Sequence, residues 1–286
     1  MAKSFDKVAW RAGKRAEVKG LMVDLQKGIQ RLSQTPEEWR CWLDQQAKFH
    51  HYSFRNCVLI WSQNRQATQV AGYCRWQDLR RQVRAGEKSI KILGPLIKKT
   101  ESRDGDDTEE LYGFQALSVF DIAQTDGELL PEHKSRLQGQ EYAPLLGALT
   151  KVAESKGRVV TFANELGNGH TDGHDVWVDQ NMDPNMQAKT LAHELAHCDL
   201  EHVGHMDDHG LGEMEAESVA YVVCGALGFD TSAWSMRYIA SWMDANPSTS
   251  EAVMAALKES AGHIAKVAKA IIEEVLGQDE PVAQAA

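Results

Sequence analysis

The 286-residue sequence has few cysteines, and their placement excludes a disulfide framework. The five cysteines stand singly at positions 41, 57, 74, 198 and 224, which is an odd number without any C-x-x-C pair. Secreted domains that depend on disulfides carry an even number of cysteines at matched spacings. We therefore expect a protein that works in a reducing cytoplasm.

Long hydrophobic runs are also missing. A membrane-spanning helix needs about 20 consecutive apolar residues, and no run in this chain approaches that length. The first seven residues, MAKSFDK, are charged and lack the apolar core of a secretory signal peptide. The sequence has no internal repeat and no low-complexity segment. We expect a soluble, cytoplasmic protein with no membrane partner.

The charges are distributed unevenly along the chain. Residues 1–100 hold 20 Lys and Arg against 8 Asp and Glu, whereas residues 101–286 hold 11 against 33, and the net charge of −10 conceals this difference. If these charges were only solvated surface residues, the net charges of the two parts would have to have drifted far in opposite directions. The distribution favours a first domain that meets a polyanion and a second domain that does not.

Hydrophobic periodicity predicts two α+β domains, at residues 1–135 and 136–286. In the first we expect helices at 9–32, from Pro36 and from Ser53, a short basic helix at 76–83, and three strands near 69–73, 89–93 and 113–122. In the second we expect helices at 142–156, 184–197, 213–223 and 251–276, strands at 158–163 and 175–179, and frayed last residues. A polar connector places the boundary between residues 130 and 142.

The stretch HELAH at 193–197 is the most informative motif in the chain. Residues four apart lie on one face of an α-helix, so His193 and His197 can present two imidazoles to one divalent metal. Glu194 lies about 100° around that helix and can act as the general base on a metal-bound water. The alternative is an amphipathic core helix in which the two histidines have hydrogen-bond partners within the protein. Both interpretations need a helix that starts at Asp183 and Pro184.

A third ligand downstream would favour the metal site. Glu213 and Glu217 lie four residues apart at the start of an apolar segment that predicts a second buried helix. Two histidines and one glutamate, with a fourth position for water, are typical of catalytic zinc sites. We expect Glu213 to be the ligand and Glu217 to orient a ligand imidazole. Zinc is the expected metal, with manganese as the alternative.

The loop between the two helices carries other candidates. His209 is an alternative third ligand, and we expect His202, His205 and His209 to belong mostly to a solvated loop. Their spacing fails the metzincin pattern, because Leu200 and Val203 stand where that pattern has glycine and histidine. Cys198 directly follows His197, and one residue along a helix turns the side chain away from the metal. We therefore expect Cys198 to be a small thiol in the core.

The first domain interleaves cationic and aromatic residues, as in sites that hold single-stranded nucleic acid. Any one ring, such as Phe54 or Trp61, is more typical of a core. Lys88 follows Gly86 in a turn whose backbone N–H groups could face a phosphate. We expect contacts to single-stranded nucleic acid from a group of five residues: Tyr52, Trp76, Arg80, Arg84 and Lys88.

These motifs together, in this order, resemble the ArdC-like antirestriction proteins. The resemblance covers roughly residues 8–245 and rests on YSFRN at 52–56, AGYCRW at 71–76, GEK at 86–88, VFDI at 119–122, HELAH at 193–197 and EMEAE at 213–217. It implies an N-terminal domain that binds single-stranded DNA and a C-terminal metallopeptidase domain of the zincin type. By this resemblance, four residues are expected at positions typical of the DNA-binding module: Tyr52, Asn56, Trp76 and Lys88. It also implies transport on plasmids, phages or integrated elements. Glu217 departs from the Asp or Asn that related zincins often carry after the ligand glutamate.

We therefore expect an antirestriction-type protein with a zinc peptidase centre that acts on a protein near the bound DNA. One alternative is a non-enzymatic protein that shields single-stranded DNA and uses the metal to stabilise its fold. Another is a regulatory protease that cleaves a repressor after a DNA signal. A complete set of ligands indicates capacity for catalysis and does not identify a substrate.

Overall fold

A computed structural model describes residues 6–101, 107–130, 143–164, 167–204, 208–246 and 251–277. Within these residues the chain is a mixed α and β protein that divides into two compact units. The first comprises residues 6–29 and 58–130, and the second comprises residues 30–57 together with the described residues from 143 onwards. The expected two-unit α+β class is confirmed.

Three helices open the chain, and they are followed by a small antiparallel sheet. The helices are α1 (Lys7–Leu32), α2 (Pro36–Lys48) and α3 (Phe54–Gln63). Strand β1 (Val70–Gly72) pairs with β4 (Asp107–Asp121), which also pairs with β3 (Ile90–Glu101) through a hairpin that has a bulge at Leu96 and Ile97. The three predicted helices at the start of the first domain and its three predicted strands are thus present. Two of the strands are longer than predicted, because β3 continues to Glu101 and β4 begins at Asp107.

The basic helix predicted over 76–83 is wrong in its second half. Helix α4 (Tyr73–Asp78) ends early, and Arg80 adopts a left-handed conformation with φ +56°. Strand β2 (Arg81–Val83) then pairs with β5 (Thr125–Gly127). The guanidinium of Arg81 donates to the hydroxyl of Thr125 at 2.7 Å and to its carbonyl at 3.0 Å, so tertiary hydrogen bonds outweigh local helix propensity.

In the second unit, helices pack around α7 (His209–Ala226). This helix contacts α2, α6 (Pro184–Asp199), α8 (Ser232–Ala245) and α9 (Glu251–Leu276), and α5 (Ala143–Ser155) packs on α6. Residues 30–57 belong to this unit because α2 packs on α7, where the indole of Trp39 donates to Ser218 Oγ at 3.3 Å. The predicted boundary at residue 135 lies outside the described residues, as does the C-terminal end that we expected to fray.

A three-stranded sheet flanks α6. Its order is β6 (Val160–Ala163), β8 (Val176–Asp179) and β7 (Gly169–Thr171), with β6 parallel and β7 antiparallel to β8. Strand β7 therefore lies at one edge of the sheet, and it packs against α6. Among the described residues, no helix combines the length and the apolar character that crossing a bilayer requires.

Candidate functional site

Helix α6 carries the two histidines of the HELAH motif. It begins as predicted, because the carboxylate of Asp183 accepts hydrogen bonds from the backbone N–H groups of Asn185 and Met186 at 3.0 and 3.2 Å. Its apolar face is fully buried, which fixes the rotation of the helix about its axis. As a result, His193 and His197 both line a cavity of about 470 Å³.

Helix α7 brings a third candidate ligand, Glu213, to the same point. Glu213 places its two carboxylate oxygens 3.3 Å from His193 Nε2 and 3.4 Å from His197 Nε2, and the two imidazole nitrogens are 3.1 Å apart. Atoms bound to one metal at about 2.1 Å in a tetrahedron lie roughly 3.4 Å from one another. The three donors therefore have the spacing of a metal-ligand set.

The charges of the centre also fit a cation. Burial opposes a charge on His193, but the carboxylates of Glu213 and Glu217 outweigh burial and raise its pKa to about 9. The two histidines hold the pKa of Glu213 far below its usual range. The acidic groups around His193 therefore favour a positive charge at this position, which a bound divalent ion would supply.

A buried ion pair supports His193 from behind. Its Nδ1 lies 3.1 Å from Glu217 Oε2, and Lys189 Nζ lies 2.7 Å from Glu217 Oε1. Burial would raise the pKa of Glu217, yet His193 and Lys189 lower it to about 2. Glu217 thus lies where the sequence analysis expects the carboxylate that orients a ligand imidazole.

His197 is supported by two residues, His202 and Glu215, that the sequence did not predict in this role. Its Nδ1 lies 3.0 Å from Nδ1 of His202, whose Nε2 lies 2.9 Å from Glu215 Oε2. His202 is buried, so the expectation of a solvated loop is wrong for this residue. His209 is exposed and lines the cavity without joining the three-ligand group, and His205 lies outside the described residues.

Glu194 occupies the position expected of a general base. Its side chain lines the same cavity as the three ligands and is mostly buried, and burial raises its pKa. A raised carboxylate pKa brings the group closer to the pH at which proton transfer is efficient. Cys198 lies outside this centre, with Sγ 3.1 Å from Thr171 Oγ1, in agreement with a buried thiol.

Edge strand β7, which packs against α6, also lines the cavity. Its residues Gly169, His170 and Thr171 all reach the cavity, and His170 stacks on Trp177 with ring centroids 4.8 Å apart. The outer edge of a terminal strand offers backbone groups to an extended peptide. The centre therefore has an adjacent surface on which a peptide chain can align.

Gly169 allows β7 to approach α6, and we expect Gly169→Ala to destabilise the protein. A Cβ at this position would lie 2.7 Å from the carbonyl oxygen of Trp177 and 2.7 Å from Thr190 Cγ2. The backbone atom cannot move aside as a side chain does, so the expected loss is about 1–3 kcal/mol in urea unfolding. Gly147→Ala is the control, because nothing lies within 4 Å of its added Cβ. Equal stability of the two variants would contradict this account.

Two rings expected to stack on DNA bases belong to the core instead. Trp76 is 1% exposed, packs with Ala71 and Val83, and donates its indole N–H to the Phe120 carbonyl at 2.9 Å. Tyr52 is also buried, and burial raises its pKa to about 12. The stacking role expected of these rings is not supported, because neither presents an open face. Asn56 is half-buried.

The three predicted cationic contacts are on the surface of the first unit. Arg84 lies 2.8 Å from Glu87 and 3.4 Å from Asp126, and Arg80 lies 3.4 Å from Glu128. Lys88 is exposed. Exposed ion pairs contribute little to stability, so both arginines can exchange these partners for phosphates.

The fold and the site define a class of protein: a two-unit α+β chain with an HExxH helix and a glutamate on the next helix as the third candidate metal ligand. Residues 19–125 match the family model of the N-terminal domain of anti-restriction factor ArdC. This match covers the N-terminal part of the chain, and it confirms the resemblance to the ArdC-like antirestriction proteins that was inferred from the motifs.

The chain is also similar to an uncharacterized protein of Bacillus anthracis, with 26% identity over 277 residues. That alignment covers 80% of this chain and 47% of the relative, so the chain spans about half the length of the curated protein that it matches. Crystal structures of ArdC from plasmid R388 align with TM-scores of 0.48 for the metal-free form and 0.49 for the Mn(II)-bound form. Their sequence identities are 20% and 22%, over 80% of this chain and 87% and 86% of those chains.

Proposed function

We propose that this antirestriction-type protein binds single-stranded DNA through its N-terminal part and hydrolyses peptide bonds at a metal centre in its second unit. The observation that carries the proposal is the convergence of His193, His197 and Glu213 beside buried Glu194 in one cavity. A merely structural zinc site closes its coordination with a fourth protein ligand. The described residues provide three ligands, which leaves a position for water.

His193, His197 and Glu213 would hold a zinc ion, with manganese as the alternative. When bound, the ion supplies Lewis acidity, which polarises a carbonyl and lowers the pKa of a bound water. Glu194 would accept a proton from the attacking water and return it to the departing amine. An extended substrate pairs its backbone with β7, which aligns its carbonyl with the centre. The protein substrate would be one that lies near the bound DNA.

We expect Lys88→Ala to weaken binding of single-stranded DNA more than Arg84→Ala does. Lys88 is exposed, whereas Arg84 must first leave Glu87 and Asp126. Each lost phosphate contact should reduce the slope of log K against log salt by about one unit. Fluorescence anisotropy with a labelled oligonucleotide at several salt concentrations measures both quantities.

Arg80→Ala completes this series, and Lys151→Ala is its control. Lys151 is an exposed lysine of α5 in the second unit, outside the part of the chain that we propose binds DNA. The control should leave both affinity and slope unchanged. An unchanged slope in the variants of Arg80, Arg84 and Lys88 would place the DNA footprint elsewhere.

The proposal is tested by antirestriction in a host that carries a restriction system. Cells that produce wild-type protein are compared with cells that produce Glu194→Ala at equal abundance, and survival of incoming unmodified DNA is counted. Loss of protection in the variant supports proteolysis. Equal protection supports the alternative in which DNA coverage alone shields the strand and the metal has a structural role. Cleavage of a single host repressor, found by comparing the proteomes, would support the regulatory protease.

A further inference from the structure

We propose that His202 and Glu215 form a relay that fixes the tautomer of His197 and so makes its Nε2 available to the metal. Both are positioning residues, since neither belongs to the three-ligand group. The inference rests on the proposed metal centre and adds residues that the HExxH motif does not contain. It predicts that metal affinity depends on a histidine and a carboxylate outside the coordination sphere.

The geometry of the relay is continuous. The His197 and His202 rings meet edge to face, with centroids 5.0 Å apart and planes at 75°, and their Nδ1 atoms are separated by 3.0 Å. The opposite nitrogen of His202 lies 2.9 Å from Glu215 Oε2. The side chains of His202 and Glu215 are only 7% and 5% exposed, so water cannot readily replace either partner.

The protons in this relay can be assigned from the acidic end. Oε2 of Glu215 faces Nε2 of His202 at 2.9 Å, which is the usual arrangement of an imidazole that a carboxylate orients. A carboxylate only accepts hydrogen bonds, so Nε2 of His202 carries the donated proton. In a neutral imidazole the other nitrogen is then an acceptor.

The same logic continues to the metal ligand. Because Nδ1 of His202 accepts, Nδ1 of His197 must carry the proton in their 3.0 Å contact. The Nε2 atom of His197 is therefore unprotonated and directed to the ligand group with His193 and Glu213. Without His202, the buried Nδ1–H of His197 would have no acceptor, and the tautomer with the proton on Nε2 would compete with metal binding.

Helix α7 thus supports both histidines from one short segment. Glu217 lies directly behind His193, whereas Glu215 reaches His197 through His202. Glu213 and Glu217 lie four residues apart on one helix face, and Glu215 lies on another face, where the intervening histidine bridges the gap. The three glutamates of the EMEAE segment therefore have separate tasks around one centre.

The test compares His202→Phe with His202→Gln in the full chain. Phenylalanine fills the site but offers no acceptor, so we expect the Zn²⁺ affinity, measured by competition with a chromophoric chelator, to fall about 10–100-fold. The amide of glutamine can accept from His197 and donate to Glu215, so its affinity should stay within about threefold of wild type. Equal affinity of wild type and His202→Phe would overturn the relay.

A spectroscopic readout separates the relay from a packing effect. In the zinc-loaded wild type, ¹⁵N-edited NMR should show a His197 Nδ1–H proton that is protected from exchange with water. The resonance should persist in His202→Gln and be lost in His202→Phe. A protected Nδ1–H in the phenylalanine variant would contradict the assigned role.

Two further variants keep the test decisive. His202→Leu is used if phenylalanine prevents folding, as judged by circular dichroism without metal, and it should show the same loss of affinity. His263→Phe is the control, because this half-exposed residue lies 3.7 Å from the far oxygen of Glu215 and should leave affinity unchanged. If wild-type protein binds no Zn²⁺, the proposed metal centre itself is rejected. If wild type binds Zn²⁺ and His202→Phe binds it equally well, only the relay is rejected.

Discussion

Replacing Glu194 by glutamine is expected to lower peptide-bond hydrolysis by about 10²–10⁴-fold, the usual contribution of a general base. Glutamine has nearly the same size and keeps the packing of the side chain, but it cannot accept a proton at neutral pH. Because Glu194 is outside the three-ligand group, the metal content of the variant should equal that of wild type. The loss should appear in the catalytic step and leave substrate binding almost unchanged.

The measurement uses a fluorescence-quenched peptide library with purified protein, and metal content is determined on the same samples. Single-stranded DNA binding is recorded in parallel and should match wild type. Glu154→Gln on α5 is the control, because it makes the same chemical change at an exposed glutamate outside the cavity. Hydrolysis at the wild-type rate in Glu194→Gln would remove Glu194 from the proposed mechanism.

The parts of the metal centre that follow from helical spacing could be predicted from the sequence. An Asx cap and a proline define the start of α6, and a four-residue interval puts His193 and His197 on one face. The same interval relates Glu213 and Glu217, and the structure brings Glu213 to the two histidines. The two four-residue intervals are local and do not depend on the packing around each helix, whereas the approach of Glu213 to the histidines depends on the packing of α7 against α6.

His202 and Glu215 could not be predicted in this way. They meet through a loop conformation that depends on tertiary packing, and a two-residue interval placed Glu215 away from the helix face that carries Glu213. Strand β7 is only three residues long, which is too short for alternation to be read from the sequence. This strand is defined by its pairing with β8, which the sequence alone does not show.

The burial of aromatic residues in the first domain could not be predicted from composition. Trp76 follows a turn among basic residues, which is the composition of a DNA-binding surface, yet its ring packs inside the unit. Composition does not tell which side of a short helix faces the core, because α4 has only six residues. The cationic side chains of this region remain on the surface, and the proposed DNA contact therefore depends more on charge than on stacking.

The second large effect is expected at the buried ion pair between Lys189 and Glu217. Their side chains are 10% and 3% exposed, and Nζ lies 2.7 Å from Oε1. Removing one partner leaves the other charge buried without compensation, which typically costs about 3–5 kcal/mol. We therefore expect Lys189→Met to lower the free energy of unfolding by about 3 kcal/mol, since His193 still offsets part of the Glu217 charge.

Urea denaturation in the presence of a chelator measures this loss, because bound metal would otherwise add its own stabilisation. Lys151→Met, an exposed lysine on α5, should change the unfolding free energy by less than about 0.5 kcal/mol. The double variant Lys189→Met with Glu217→Gln should recover part of the loss, because the orphaned charge is then absent. If Lys189→Met is as stable as the Lys151 control, the pair does not stabilise the fold, and Glu217 must be held in place by His193 and its helix alone.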